Sequence, residues 1–325
     1  MPWLPNSNIE TSSIGIGCAY LTAGSLTKYE TRLIGAAYEA GARHFDVAPQ
    51  YGLGTAERVL GKALKGKRDN VTITTKAGIM RPYVPNYKLT ARALLSPVRS
   101  KLRELNKFSV TGGIHRLTGT KRRLDFSSVA INSSLNSSLA HLGTDYVDVF
   151  MLHSPQPEDV TEEVVDNLLR IKKSGKARSI GLATGREDSE VILSNYDGFF
   201  DCVQYSWSVL DPSLSGDCKT PFRIIHRSLL RALEPISIWL GENRAVVDYL
   251  NSEANMDFGN KQVLVQALIG ASLVENHRGI SLIASRTIER TRENIRIAFD
   301  PETRRVGQVL LSVLSKTPQL PQVIE

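Results

Sequence analysis

The chain has 325 residues, of which 42% are hydrophobic and 22% charged, a composition typical of a globular protein. This length fits either two ordinary domains or one large barrel. The formal net charge of +7 leaves a polyanionic partner open. The cysteines, Cys18, Cys202 and Cys218, are too scattered for a disulfide framework or a CxxC metal site, so no metal is expected.

The ends and the apolar runs of the sequence carry no targeting or membrane signal. Residues 1–10 lack the basic and apolar regions of a signal peptide. The longest apolar run, residues 263–274, is too short to span a bilayer. We therefore expect a soluble cytoplasmic protein without a membrane partner.

Short β-branched segments alternate with longer amphipathic segments along the chain, which is typical of βαβ units and a parallel sheet. The helical spacing of apolar residues and the glycines and serines at segment ends set the boundaries. The predicted strands are residues 14–18, 43–47, 71–75, 146–152, 178–182, 201–205, 222–226 and 281–283. The predicted helices are residues 28–40, 126–142, 162–174, 188–194, 262–274 and 287–299.

Eight strands alternating with helices over this length predict an α/β fold with one closed (β/α)₈ TIM barrel. Its parallel strands would carry outer helices, with long loops at the C-terminal face, in a single domain over residues 1–325. A doubly wound open sheet would more often show a GxGxxG turn after its first strand, and none is present.

Two long connections interrupt the alternation, an insertion at about residues 80–125 between strand 3 and helix 3, and residues 206–221 after strand 6. Both leave from strand ends at the face where barrels build their sites. The insertion includes a basic segment at 99–123, in which Phe108 alone supplies an aromatic side chain. We interpret this segment as a solvated insertion and not as a nucleic-acid interface, so no nucleic-acid partner is expected.

Ionisable residues stand at the ends of successive predicted strands. Asp46 closes the second strand, Tyr51 follows in the next turn, Lys76 closes the third strand and His153 the fourth. In a parallel barrel these ends converge on one rim. Reduction of a carbonyl needs a proton donor at its oxygen, and a tyrosine serves if a nearby cation lowers its pKa. Lys76 would be that cation with Asp46 as counter-ion, while His153 would hydrogen-bond the carbonyl.

Three motifs resemble those of the aldo-keto reductase superfamily. They are residues 41–64 (GARHFDVAPQYGLGTAERVLGKAL), residues 74–76 (TTK) and residues 145–153 (DYVDVFMLH), and the resemblance extends from about residue 14 to residue 299. It implies that Asp46, Tyr51, Lys76 and His153 form the catalytic tetrad, with the tyrosine as general acid or base. It also implies a nicotinamide cofactor bound in an extended pose without a Rossmann turn.

The segment 284–294 (ASRTIERTREN) resembles the part of that family that binds the adenosine phosphate, with Arg286, Arg290 and Asn294 at the matching positions. Ser285, in the same segment, is a further expected cofactor contact. A helix N-terminus near Thr287 offers free amides to an anion. Two arginines in that turn favour a 2′-phosphate, and hence NADP(H). The alternative is that the arginines pair with Glu289 and Glu293.

Two departures from the family pattern fall at the nicotinamide end. Ala183 and Thr184 replace the usual Ser-Asn pair, so Thr184 is expected to supply one carboxamide contact, and Gln204 matches the carboxamide-binding glutamine. His226 stands where the family commonly stacks a tyrosine on the ring.

The predicted function is that of an NADP(H)-dependent oxidoreductase. It would transfer hydride between nicotinamide and a small carbonyl or alcohol substrate (aldehyde, ketone or sugar), as a monomer or weak homo-oligomer. The alternative is a non-catalytic, cofactor-sensing regulatory or scaffold protein on the same barrel, because a fold can persist while its function changes.

Overall fold

The computed structural model describes residues 2, 4–5, 10–21, 27–82, 124–211, 213–214 and 221–317. Eight parallel strands form a closed barrel in chain order, in which the last strand pairs with the first. The predicted (β/α)₈ barrel is therefore confirmed. The strands are β1 (Ile14–Gly17), β2 (His44–Asp46), β3 (Thr72–Ala77), β4 (Val147–His153), β5 (Ala177–Ala183), β6 (Cys202–Ser206), β7 (Phe222–His226) and β8 (Ile280–Ile283).

Ten α-helices lie within the described residues. They are α1 (Thr27–Glu39), α2 (Ala56–Ala63), α3 (Ser128–Leu142), α4 (Glu162–Lys173), α5 (Arg186–Asn195), α6 (Ser228–Glu242), α7 (Arg244–Ala254), α8 (Lys261–Glu275), α9 (Ile288–Phe299) and α10 (Pro301–Leu314). The six predicted helices correspond to α1, α3, α4, α5, α8 and α9, with ends that agree to within two residues. The helices α2, α6, α7 and α10 have no counterpart in the prediction.

Capping side chains fix several helix ends. Ser127 caps α3, and its hydroxyl accepts a hydrogen bond from the Ala130 amide at 3.3 Å. The helix ends at Gly143, whose left-handed backbone suits glycine. Asp300 caps α10 by accepting from the Glu302 amide at 2.9 Å, and Pro301 occupies the first turn, where its missing N–H costs nothing.

The barrel interior combines an apolar cluster with a short polar chain. A Cβ at Gly15 would lie only 2.7 Å from Leu282 Cδ2 and 2.9 Å from His44 Cδ2, so the first strand needs glycine where these side chains meet. His44 is fully buried, and its two ring nitrogens lie 2.9 Å from Thr72 Oγ1 and 3.3 Å from Thr74 Oγ1. The apolar members of the cluster are Leu4, Val149, Met151, Ala183, Cys202, Ile224, Ile280 and Leu282.

Two outer helices, α8 and α10, cross at glycines. A Cβ at Gly270 would lie 1.9 Å from the Thr303 carbonyl oxygen, and one at Gly307 would lie 2.2 Å from the Ala271 nitrogen. The two helix backbones therefore approach more closely than any larger residue would permit.

The predicted insertion lies mainly outside the described residues, as does the whole basic segment 99–123. Its two ends meet in an antiparallel bridge between Ile79 and Leu124, and the Asp125 amide donates to the Gly78 carbonyl at 2.9 Å. This connection therefore leaves and rejoins the barrel directly after β3. Across the described residues, no helix combines the length and apolar character needed to cross a membrane.

Candidate active site

The structure brings together the three residues that the sequence places at strand ends, Asp46, Lys76 and His153, with Tyr51 from the turn after the second strand. Asp46 is the last residue of β2, Lys76 lies in β3 and His153 is the last residue of β4. Tyr51 begins a short 3-10 helix, Tyr51–Gly54, directly after β2. They meet at the carboxyl ends of the strands, the face where barrel enzymes build their sites.

A buried ion pair forms the centre of this cluster. Lys76 Nζ donates to both carboxylate oxygens of Asp46, at 2.8 and 2.7 Å, and the two residues are only 1% and 2% exposed. Gln204 Nε2 donates to Asp46 Oδ2 at 3.0 Å. Burial lowers the pKa of Lys76, but Asp46 and Tyr51 outweigh it and the net pKa is raised. The lysine therefore keeps its charge.

The phenol of Tyr51 lies against this ion pair, with Lys76 Nζ 5.2 Å from the ring centroid. Burial raises the pKa of Tyr51, Lys76 lowers it and Asp46 raises it, so that the net pKa is raised. The expectation that Lys76 would lower the tyrosine pKa is thus wrong for the net shift, because burial exceeds the effect of the cation. The phenol is consequently protonated at neutral pH.

His153 lies beside Tyr51 in an edge-on contact, with ring centroids 6.0 Å apart and an interplanar angle of 87°. Its Nδ1 is 3.0 Å from Nε2 of Gln50. Sequence reasoning did not single out Gln50. The signal available was an amide side chain directly before Tyr51, in the turn that follows a rim strand.

Backbone conformations that are unfavourable for most residues flank the cluster. Gly52 has a φ of +57°, and a Cβ there would lie 1.5 Å from the Leu21 carbonyl oxygen, so only glycine fits after Tyr51. Ser154 and Arg227, directly after β4 and β7, have φ values of 58° and 65°. Such strain in non-glycine residues is concentrated at functional sites.

The expected nicotinamide contacts are Thr184, directly after β5, Gln204 in β6 and His226 in β7. Gln204 Oε1 is buried and has no hydrogen-bond partner within the described residues, and the same is true of Ser206 Oγ. Thr184 donates its hydroxyl proton to the Pro155 carbonyl at 3.1 Å, so its oxygen remains an acceptor. Burial lowers the pKa of His226 to about 3, with a further contribution from Arg227. The imidazole is therefore neutral and presents an uncharged aromatic ring.

The expected phosphate contacts lie where α9 begins. Thr287 caps this helix, with its hydroxyl accepting from the Arg290 amide at 3.3 Å. Ser285 Oγ accepts from the Thr287 amide at 3.3 Å. Asn294 follows Arg290 by one helical turn, so both lie on one side of the helix.

The guanidinium of Arg286 stacks on Tyr20, 4.5 Å from the ring centroid. Arg286 and Arg290 are exposed, and neither forms an ion pair with a described residue. The alternative pairing with Glu289 and Glu293 is therefore not observed in this part of the chain. A capped helix start with two uncompensated arginines fits a phosphate group, and the unpartnered Gln204 oxygen fits a carboxamide amine. Among the described residues, no group of His, Cys, Asp or Glu is arranged to hold a metal ion.

Comparison with known proteins gives a family match. The sequence matches the profile of the Aldo/keto reductase family over residues 13–218. It is 32% identical over 161 residues to a D-threo-aldose 1-dehydrogenase from Pseudomonas sp, covering 47% of this chain and 43% of that protein. It is 27% identical over 186 residues to an NADH-specific methylglyoxal reductase from Escherichia coli, covering 56% and 48%. The chain thus spans about half the length of the curated relatives it matches.

Solved structures share the fold at lower sequence identity. A glycerol dehydrogenase from Gluconobacter oxydans superposes with a TM-score of 0.69 at 16% identity, covering 100% of this chain and 98% of that one. The holo form of an aldo-keto reductase from Bacillus halodurans gives a TM-score of 0.65 at 18% identity, covering 95% and 94%. At these identities the likeness concerns the barrel alone.

Proposed function

The chain belongs to the aldo/keto reductase family of oxidoreductases, and on this premise we propose that it is an NADP(H)-dependent enzyme that interconverts a small carbonyl compound (aldehyde, ketone or sugar) and its alcohol. The observation that carries the proposal is the buried ion pair of Asp46 and Lys76, with Tyr51 and His153 beside it, at the carboxyl ends of β2, β3 and β4.

The proposed chemistry assigns one role to each residue of the cluster. Tyr51 donates its phenolic proton to the carbonyl oxygen as that oxygen gains negative charge, and recovers a proton from solvent afterwards. Lys76 remains charged and stabilises the phenolate that is left. Asp46 keeps the lysine charged and holds it in place. His153 donates a hydrogen bond that orients the carbonyl.

Separate residues would hold the two ends of the cofactor. The unpartnered Gln204 oxygen and the Thr184 oxygen would accept from the carboxamide amine, and the neutral ring of His226 would pack on the nicotinamide. When bound, the nicotinamide would supply or accept the hydride equivalent. Arg286 and Arg290 would bind the 2′-phosphate. Ser285 and Asn294 would supply the remaining contacts to the adenosine-phosphate end of the cofactor.

The decisive experiment is the substitution Tyr51→Phe, which removes one hydroxyl. We expect turnover of a panel of aldehydes, ketones and sugars to fall by about 10²–10⁴-fold, as for loss of a general acid. NADPH affinity should remain within about twofold, because the groups that act on the hydroxyl are Lys76, Asp46 and Cys18, none of which is a proposed cofactor contact. The control is Tyr38→Phe, which makes the same change in α1, away from the rim. Unchanged turnover in Tyr51→Phe would refute the proposed acid.

The same assays separate the enzyme from the non-catalytic alternative. Wild-type protein that binds NADPH but turns over no member of the carbonyl panel would favour a cofactor-sensing regulatory or scaffold protein. The departures from the family pattern at Thr184 and His226 would then be the structural explanation for the missing turnover.

Cofactor preference is tested by fluorescence titration with NADPH and NADH. We expect Arg290→Ala to weaken NADPH binding by about 10- to 100-fold, since a charge-assisted hydrogen bond contributes roughly 1.5–3 kcal/mol. NADH binding should be unchanged. Arg292→Ala is the control, because Arg292 lies on the same helix but pairs with Glu39 at 3.6 Å. Tighter binding of NADH by the wild-type protein would contradict the NADP(H) assignment.

A further inference from the structure

Gln50 is a polar side chain of the site to which the proposed chemistry gives no role. It precedes Tyr51 in the turn after β2 and is half-buried. Its Nε2 lies 3.0 Å from His153 Nδ1. Its Oε1 is buried and has no hydrogen-bond partner within the described residues.

The chemistry of the two groups determines the direction of this hydrogen bond. An amide nitrogen donates and does not accept, whereas one nitrogen of a neutral imidazole donates and the other accepts. With the amide nitrogen facing it, Nδ1 of a neutral His153 ring accepts, which leaves the ring proton on Nε2. The choice of tautomer at a histidine is set by the partner of the other nitrogen.

We propose that Gln50 is a positioning residue that holds His153 in the neutral tautomer protonated at Nε2. In this tautomer the histidine presents an N–H donor, the form needed to hydrogen-bond a carbonyl oxygen; that consequence rests on the proposed function. The tautomer itself is inferred from the contact between Gln50 and His153 and does not require the proposed function. Because the amide does not titrate, the preference is built into the fold without a charged group.

Nitrogen-15 NMR of the full chain labelled at histidine tests the proposal without cofactor or substrate. The sequence contains six histidines, and the variant His153→Asn assigns the resonances of the ring in question. Gln50→Glu keeps the length of the side chain but offers only acceptor oxygens, so it should move the ring proton to Nδ1. Gln50→Met removes the hydrogen bond at similar length and should yield a mixture of tautomers.

The control is Gln266→Glu, the same chemical change at a half-buried position of α8 whose amide contacts Thr303 at 3.2 Å. It should leave the His153 resonances unchanged, and circular dichroism should show that all variants are folded. A wild-type ring protonated at Nδ1 would overturn the proposal. So would an Nε2–H tautomer that persists in both Gln50→Glu and Gln50→Met.

Kinetics give a second readout, with 4-nitrobenzaldehyde as the probe. We expect Gln50→Glu to lower kcat/KM by about 10-fold or more, through loss of one hydrogen bond to the substrate, with NADPH affinity within about twofold of wild type. Equal losses in NADPH binding and kcat/KM would instead indicate general damage to the site, against a positioning role. Failure of the proposed function is separately recognised, since a wild-type protein without turnover can still show the expected tautomer.

Discussion

Acidification should destabilise the barrel through His44, whose ring is fully buried between Thr72 and Thr74. Burial, with a smaller effect of Lys76, lowers its pKa from 6.5 to about 3. Between these values the unfolded chain binds a proton that the folded chain does not, so stability falls as the pH falls. The lower of the two pH values to be compared, pH 5, lies about 1.5 units below the unfolded pKa, and each unit costs about 1.4 kcal/mol. Between pH 8 and pH 5, His44 alone should therefore lower the free energy of unfolding by roughly 2 kcal/mol.

The assay is urea unfolding of the wild-type protein and of His44→Gln at both pH values. Glutamine can still bond to Thr72 and Thr74 but does not titrate, so the stability difference between the two proteins should shrink by about 2 kcal/mol at pH 5. The control is His277→Gln, an exposed histidine between α8 and β8, which should preserve the pH dependence of the wild type. A stability difference that is the same at both pH values would refute the reasoning.

Two further predictions concern packing and the chemistry of the site. Gly270→Ala should lower the free energy of unfolding by about 1–3 kcal/mol, since its Cβ would lie 1.9 Å from the Thr303 carbonyl oxygen and must push two helices apart. Gly35→Ala in α1 is the control, because its Cβ would meet open space; it should be neutral or stabilising, and equal losses in both variants would contradict the packing argument. For Tyr51, the raised pKa predicts that carbonyl reduction keeps its rate as the pH rises above neutrality, while alcohol oxidation accelerates with pH, because reduction needs the phenol and oxidation the phenolate. Steady-state rates in both directions check this, and a reduction rate that declines from pH 7 would argue against a raised pKa.

The barrel was predictable because its strands and most of its helices carry local patterns. Alternation of short β-branched and longer amphipathic segments is enough to identify eight strands, and strand ends in a parallel barrel must converge. For that reason the sequence alone places Asp46, Lys76 and His153 on one rim. The segment 301–314 was missed, although Asp300 and Pro301 are a favourable helix start.

Other features depend on the surroundings of a residue and escape sequence patterns. Pro235 inside α6 normally argues against a helix, and tertiary packing overrides that preference here. The net pKa of Tyr51 depends on how deeply the phenol is buried, which strand order does not reveal. The contact of Gln50 with His153 joins residues 103 positions apart, and no local motif marks it.

The closure of the barrel also has a kinetic consequence. Ile14 at the start of β1 pairs with Ser281 in β8, and this is the contact that removes the last open edge of the sheet. Residues so distant along the chain meet only after a large loss of chain entropy, and contacts of long sequence separation slow folding. Until they meet, β1 exposes unpaired backbone groups that can bind another chain. The yield of refolded protein should therefore fall as the protein concentration rises, even though the closed barrel itself is stable.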